Sequence, residues 1–142
     1  MWKYETTISW DSGKEGRLHS GGKPEIRVVT PPEFGGPHNQ WTPEDLVSGA
    51  VSSCVMTSSL FFLEKAGIKP LSYLSNASAT MEKTPSGLAF TGITVDVSVA
   101  VKTEEEIEKA YSAVRKAKES CPVSKSLTCD VTLKAKVSCP GS

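Results

Sequence analysis

The segment from Thr42 to Gly67 constrains most strongly what this chain can fold into. Thr42 is a good N-cap, Pro43 suits the first helical position, and Glu44 and Asp45 favour the positive end of a helix dipole. Gly67 supplies the stop. The roughly 24 residues between them make about 36 Å of helix. From Leu46 to Leu63 the segment carries no charge. Large apolar side chains such as Val51, Met56, Leu60 and Phe62 point in nearly every direction, and Ser48, Gly49, Ala50, Ser52 and Ser58 fill the gaps. A helix with no polar face needs burial all round, and its small residues would let another helix come close. A chain of 142 residues with only one other long helix has trouble enclosing it alone. We therefore expect a homodimer with this helix at its centre. The alternative is a monomer whose sheet wraps strongly around the helix.

The rest of the chain reads as strands and one further helix. Residues 2–10 alternate, with Trp2, Tyr4, Thr6, Ile8 and Trp10 on one side, the period of a half-buried strand. Asp11-Ser12-Gly13 is turn chemistry; Gly16 to Ser20 and Glu25 to Thr30 give two short strands, and Pro31 to Trp41 a loop. Residues 71–83 and 93–101 form an antiparallel hairpin about Pro85-Ser86-Gly87, with Ile93, Val95, Val97, Val99 and Val101 on one face. Thr103 and Glu106 make a capping box for a second helix with a stripe of Ile107, Tyr111, Val114 and Lys118, and Ala110 and Ala117 beside it. Cys121-Pro122-Val123-Ser124 opens a short third helix, and Cys129 to Cys139 alternate as a last strand. The order β-β-β-α-β-β-α-α-β predicts a single α+β domain over 1–142, an antiparallel sheet with a long central helix.

Composition narrows the function classes. Sixteen Lys and Arg balance sixteen Asp and Glu, whereas a binder of nucleic acid is expected to be basic. No apolar run approaches the roughly 20 residues of a membrane span, and Met1 to Glu5 lack the pattern of a signal peptide. The expectation is a cytoplasmic protein with neither nucleic acid nor membrane as partner. The two histidines, His19 and His38, sit in separate loops, and no C-x-x-C or H-E-x-x-H occurs, so no metal is expected. No Gly-rich loop joins a strand to a helix, which argues against a nucleotide, and no cofactor is expected.

Four cysteines remain, at 54, 121, 129 and 139. Cys129 and Cys139 lie on the apolar face of the last strand and read as core. Cys121 stands before a proline at the N-cap position, where backbone amides lower a thiol's pKa. Ser, Thr, Asp or Asn is the usual cap, so a cysteine there points to reactivity. Cys54 lies mid-helix among Ala50, Val51, Thr57 and Ser58, where a cysteine is ordinarily packing. Local sequence makes it the less activated thiol unless a charged partner arrives from elsewhere.

Two segments together resemble the OsmC/Ohr family, the osmotically inducible and organic hydroperoxide resistance proteins. One runs from Thr42-Pro43-Glu44-Asp45-Leu46 through Cys54 to Leu63-Glu64-Lys65-Ala66-Gly67; the other is Cys121-Pro122-Val123-Ser124-Lys125-Ser126-Leu127 with its final strand. Thr30-Pro31-Pro32-Glu33-Phe34-Gly35-Gly36 resembles the family's segment before the helix. The resemblance implies an intertwined homodimer and thiol peroxidase activity without metal, haem or flavin. It makes Cys54 the peroxidatic thiol and Cys121 the resolving one, condensing to a disulfide that an external dithiol, lipoyl-type or other, reduces. It also implies a glutamate, matched by Glu44, holding an arginine beside the peroxidatic thiol. Glu44 lies about 15 Å along a straight helix from Cys54, so it would act through that arginine or across the dimer. Arg17 is our assignment for the arginine, with Lys14 and Arg27 as alternatives; lysine does not replace arginine simply in bidentate pairing.

Three functions compete. The first is a peroxidase for organic hydroperoxides, with Phe61, Phe62 and Met56 as pocket walls and hydrogen peroxide as the smaller substrate. The second is a thiol–disulfide exchange protein built on Cys121-x-x-Ser124, which sits late in the chain and after a helix, unlike thioredoxin-like motifs. The third is a non-catalytic dimeric ligand-binding or stress protein.

Overall fold

The computed structural model describes residues 1–141. The chain forms two compact units, one ending at Val47 and the other beginning at Ser48. In the first, strands β1 (Thr7–Ser12), β2 (Glu15–His19) and β3 (Ile26–Val29) make an antiparallel sheet in that order. The first strand, expected from residue 2, begins at Thr7. Its register starts at Thr7 opposite His19, and His19 ends β2, so residues 2–6 have no strand to pair with there. The expected buried face is also open in this chain, with Ile8 60% and Trp10 76% exposed.

The loop after β3 is built around glycines. A single 3-10 turn at Pro32–Phe34 ends on Gly35 at φ 89°, a conformation that favours glycine. At Gly36 the reason is contact, since a Cβ there would stand 1.7 Å from the Thr30 carbonyl oxygen. The loop leads to helix α1 (Pro43–Lys65), capped as expected. The Thr42 hydroxyl accepts from the Asp45 amide at 3.1 Å, and the Asp45 carboxylate accepts from the Thr42 amide at 3.1 Å. Such a cap stabilises a helix by about 1 kcal/mol.

In the second unit α1 ends in a Schellman motif. Gly67 at φ 74° donates to Glu64 O, and Ile68 donates to Leu63 O. Strands β4 (Ser72–Thr84) and β5 (Gly87–Ala100) form the expected hairpin, and β5 buries Ile93, Val95, Val97 and Val99 almost completely. Helix α2 (Glu106–Ser120) and the single turn α3 (Pro122–Lys125) lead to β6 (Asp130–Ser138). The α+β class stands, but the sheet is mixed. β6 pairs with β5 in parallel, and the second and third helices make the crossover that parallel neighbours need.

Two helix details differ from expectation. α2 starts at Glu106; only half of the capping box forms, with the Thr103 amide donating to the Glu106 carboxylate at 3.1 Å. Its buried stripe is Ala110, Ala113, Val114 and Ala117, displaced toward the small residues because alanines let the helix lie close on β6. In α1 only Val51, Val55, Ser59 and Leu63 are buried. Ser48 donates to Ala77 O and Ser52 shares a hydrogen bond with Ser75, fixing that side of the helix to β4. Phe61 is 53% exposed and Leu60 37%. The sequence expectation of no membrane-length apolar run is corrected here, because α1 has the length and mean hydropathy, 1.7, to cross a bilayer. Its serine hydrogen bonds to β4 and its buried stripe are also what a core helix makes.

Gly36→Ala is expected to cost more than about 3 kcal/mol in denaturant unfolding, because the Thr30 backbone cannot yield 1 Å or more without breaking the loop. Gly22→Ala, where a Cβ meets nothing within 4 Å, is the control and should stay within about 0.5 kcal/mol.

Candidate active site

The second unit brings Cys54 and Cys121 together, close enough for each thiol to act on the other's ionisation. Cys54 is carried mid-way along α1. Cys121 is the residue between α2 and α3, where it leaves the helical conformation at φ −65°, ψ 112°. That extended residue followed by Pro122 makes it the N-cap of α3, and its sulfur accepts the Ser124 amide at 3.4 Å.

The surroundings of the two sulfurs are unequal. Cys121 is fully buried, which by itself would raise its pKa. The Cys54 thiol, the Ser124 hydroxyl and amide and the Val123 amide nearby favour the charged form and outweigh that burial, so the Cys121 thiol lies below its ordinary range. Cys54 is pushed up, first by burial and then by the neighbouring Cys121, against weaker help from the Val123 amide and the Ser58 hydroxyl. Of the two sulfurs, Cys121 is therefore the more readily ionised. Sequence reasoning did not single out Ser58 or Ser124 as partners of the thiols. Both stood in plain spacing, Ser58 one helical turn after Cys54 and Ser124 three residues after the capping Cys121.

A cavity of about 340 Å³ opens beside the pair, lined by Thr57, Ser58, Phe61, Phe62 and Ser120. Two of the three expected walls are there, and Met56 is not. Phe61 and Phe62 meet edge to face at 5.2 Å, and Lys65 lies 5.3 Å above the Phe61 ring. Cys129 and Cys139, expected in the core, are only partly buried, and Cys139 donates to Lys102 O at 3.3 Å. Among the described residues no cluster of three or more His, Cys, Asp or Glu is placed to hold a metal.

The remaining assigned residues belong to the first unit. Arg17 is half exposed and pairs with Asp11 at 3.0 Å and Glu25 at 3.6 Å; the Asp11 hydrogen bond raises its pKa further. Arg27 pairs with Glu15, and His19 with Glu25 at 3.2 Å. Glu44 has a different setting. With Lys14 it lines a cavity of about 520 Å³ walled by Ile8, Trp10, Val28 and Pro31, and its Oε1 is buried with no hydrogen-bond partner among the described residues. So Lys14, an alternative in the sequence reading, shares a cavity with Glu44, while Arg17 is held by two other carboxylates.

Residues 36–136 match the family model described as OsmC-like protein. The chain belongs to the OsmC family. Peroxiredoxin OsmC of Escherichia coli (strain K12) is 32% identical over 91 residues, which is 64% of this chain and 63% of that protein. The chain thus matches somewhat less than two thirds of the length of that relative. An OsmC-like protein of unknown function from Vibrio cholerae superposes with a TM-score of 0.87 at 18% identity, covering 96% of this chain and all of the other. An organic hydroperoxide resistance protein from Elizabethkingia anophelis gives 0.76 at 22% identity, covering 98% and 97%. The fold is that of the OsmC/Ohr proteins, as the resemblance in sequence implied.

The inequality of the thiols sets a pH signature. A thiol whose pKa is lowered ionises earlier as pH rises, so the first thiolate absorbance of the pair should appear below the ordinary cysteine range. Ser124→Ala removes a donor to that thiolate and should move the first step to higher pH in an ultraviolet titration. An unmoved step would mean that Ser124 does not serve the sulfur.

Proposed function

We propose that this chain is a thiol peroxidase for organic hydroperoxides. The observation that carries the reading is the neighbouring Cys54–Cys121 pair, two thiols that act on each other's ionisation and that one oxidation could join. The Cys54 sulfur attacks the O–O bond of ROOH, the S–O bond forms, and ROH leaves a Cys54 sulfenic acid. Cys121 attacks that sulfur, releasing water and forming a disulfide. An external dithiol supplies two electrons and two protons to restore both thiols. Cys54, Cys121, Glu44 and Arg17 remain our assigned site residues. The organic preference is supported by the phenylalanine wall of the neighbouring cavity. The names of the relatives, a peroxiredoxin and hydroperoxide resistance proteins, point the same way.

We also propose that the chain works as a homodimer. In a single chain α1 leaves Leu60 and Phe61 exposed, and burial of such side chains stabilises by about 1.5–3 kcal/mol each. A second subunit is the natural cover for a helix with no charged residue between Leu46 and Leu63.

Intact-mass measurement tests the chemistry. Reduced protein titrated with cumene hydroperoxide should lose two thiols as one Cys54–Cys121 disulfide at near-stoichiometric peroxide. Cys121→Ser should stop at a Cys54 sulfenic acid. Survival of all four thiols in excess peroxide would instead favour a non-catalytic ligand-binding protein, the reading that the ion-paired Arg17 leaves open.

A further inference from the structure

We propose that the second unit carries a further binding site, separate from the thiols, for the anionic head of a single-chain amphiphile. Lys65, Lys109 and Lys116 hold the head, a carboxylate or phosphate, and the apolar chain lies over Phe62, Ala66 and Ala113.

The site follows from helical spacing. Phe62, Lys65 and Ala66 stand at i, i+3 and i+4 on α1, and Lys109, Ala113 and Lys116 at i, i+4 and i+7 on α2. Each set is therefore one face of its helix. The two faces line a common cavity of about 400 Å³. That is within the size range of small-molecule sites, about 300–1,000 Å³. It is not the cavity beside the thiols: the two share Phe62 and no other residue.

Charge decides the occupant. Three lysines line this cavity and no carboxylate does. Among the described residues none of the three forms an ion pair. Glu64 and Glu108 adjoin Lys65 and Lys109 in sequence, but consecutive helical residues do not face each other. Glu105 and Glu119 lie within a turn of Lys109 and Lys116, yet neither pairs with them. Lys65 lies 5.3 Å above the Phe61 ring, a contact that leaves its charge in place. Like charges around one cavity repel, and an anion among them relieves that repulsion. Beneath them Ala113 is buried and Phe62 half-buried, so the floor is apolar. A small inorganic anion would leave that floor uncovered, and a neutral chain would leave the lysines unpaired. A chain with a charged head satisfies both, and the lysine stems add apolar cover of their own.

Nuclear magnetic resonance titration of the full chain with octanoate, octyl phosphate, octanol and inorganic phosphate tests this. Octanoate or octyl phosphate should bind and shift the resonances of Phe62, Lys65 and Ala113; whichever binds more tightly identifies the head group. Octanol and inorganic phosphate should bind about tenfold more weakly or worse, each lacking one half of the contact. Lys109→Ala with Lys116→Ala should weaken octanoate about tenfold. Lys134→Ala with Lys136→Ala, which removes two exposed lysines from β6, should leave it unchanged. Added salt should weaken binding to the wild type. Octanol binding as tightly as octanoate, an unchanged affinity in the Lys109 and Lys116 variant, or no binding by either anionic chain would overturn the inference. Circular dichroism of the variants separates lost binding from misfolding. No peroxide enters the measurement, so the site and the peroxidase reading stand or fall separately.

Discussion

The meeting of Cys54 on α1 with Cys121 at the α2–α3 junction is the contact on which the proposed chemistry depends. It joins a residue in the middle of one helix to a residue that has left another, and neither sulfur would be remarkable without the other. Burial alone raises both thiols. The difference arises because one sulfur caps a turn and collects amides, and the other lies along a helix whose own amides are already spent on helical carbonyls. The backbone therefore decides which of two identical side chains ionises more readily.

The scaffold serves that contact through packing of small residues. Ala110, Ala113 and Ala117 let α2 lie close on β6, and Ser48 and Ser52 tie α1 to β4. Each helix is thereby indexed to a strand of the same three-stranded sheet. The parallel β5–β6 pairing requires a crossover between them, and α2, Cys121 and α3 are that crossover. The cysteine N-cap thus sits where topology puts it, at a corner the chain must turn on its way to a parallel strand. A sheet closed by hairpins alone would have had no such corner.

The first unit organises its charges differently. Arg17, Arg27 and His19 are each matched with carboxylates on the small sheet, whereas Glu44 at the start of α1 lines a cavity with Lys14 and has a buried oxygen without a hydrogen-bond partner among the described residues. A buried carboxylate oxygen without a partner is costly, and native structures retain such groups where something is meant to meet them. The resemblance in sequence pointed at Glu44 by position alone.

Helix starts and stops, the alternation of the β4–β5 hairpin and the capping role of Cys121 were legible in the sequence. They rest on interactions between residues three or four apart, or on a period that any pleated strand repeats. The family was legible for the same reason, from short motifs at two places in the chain. What only the tertiary structure decided was the company those residues keep. The parallel direction of β6, the Ala-rich stripe of α2 and the ion pairs of Arg17 and Arg27 all join distant segments. The meeting of Cys54 with Cys121 is of that kind too: the family resemblance implied it, but a mid-helix cysteine read by its own neighbours looks like packing, and spacing along the chain carries no term for the helix end that comes to meet it.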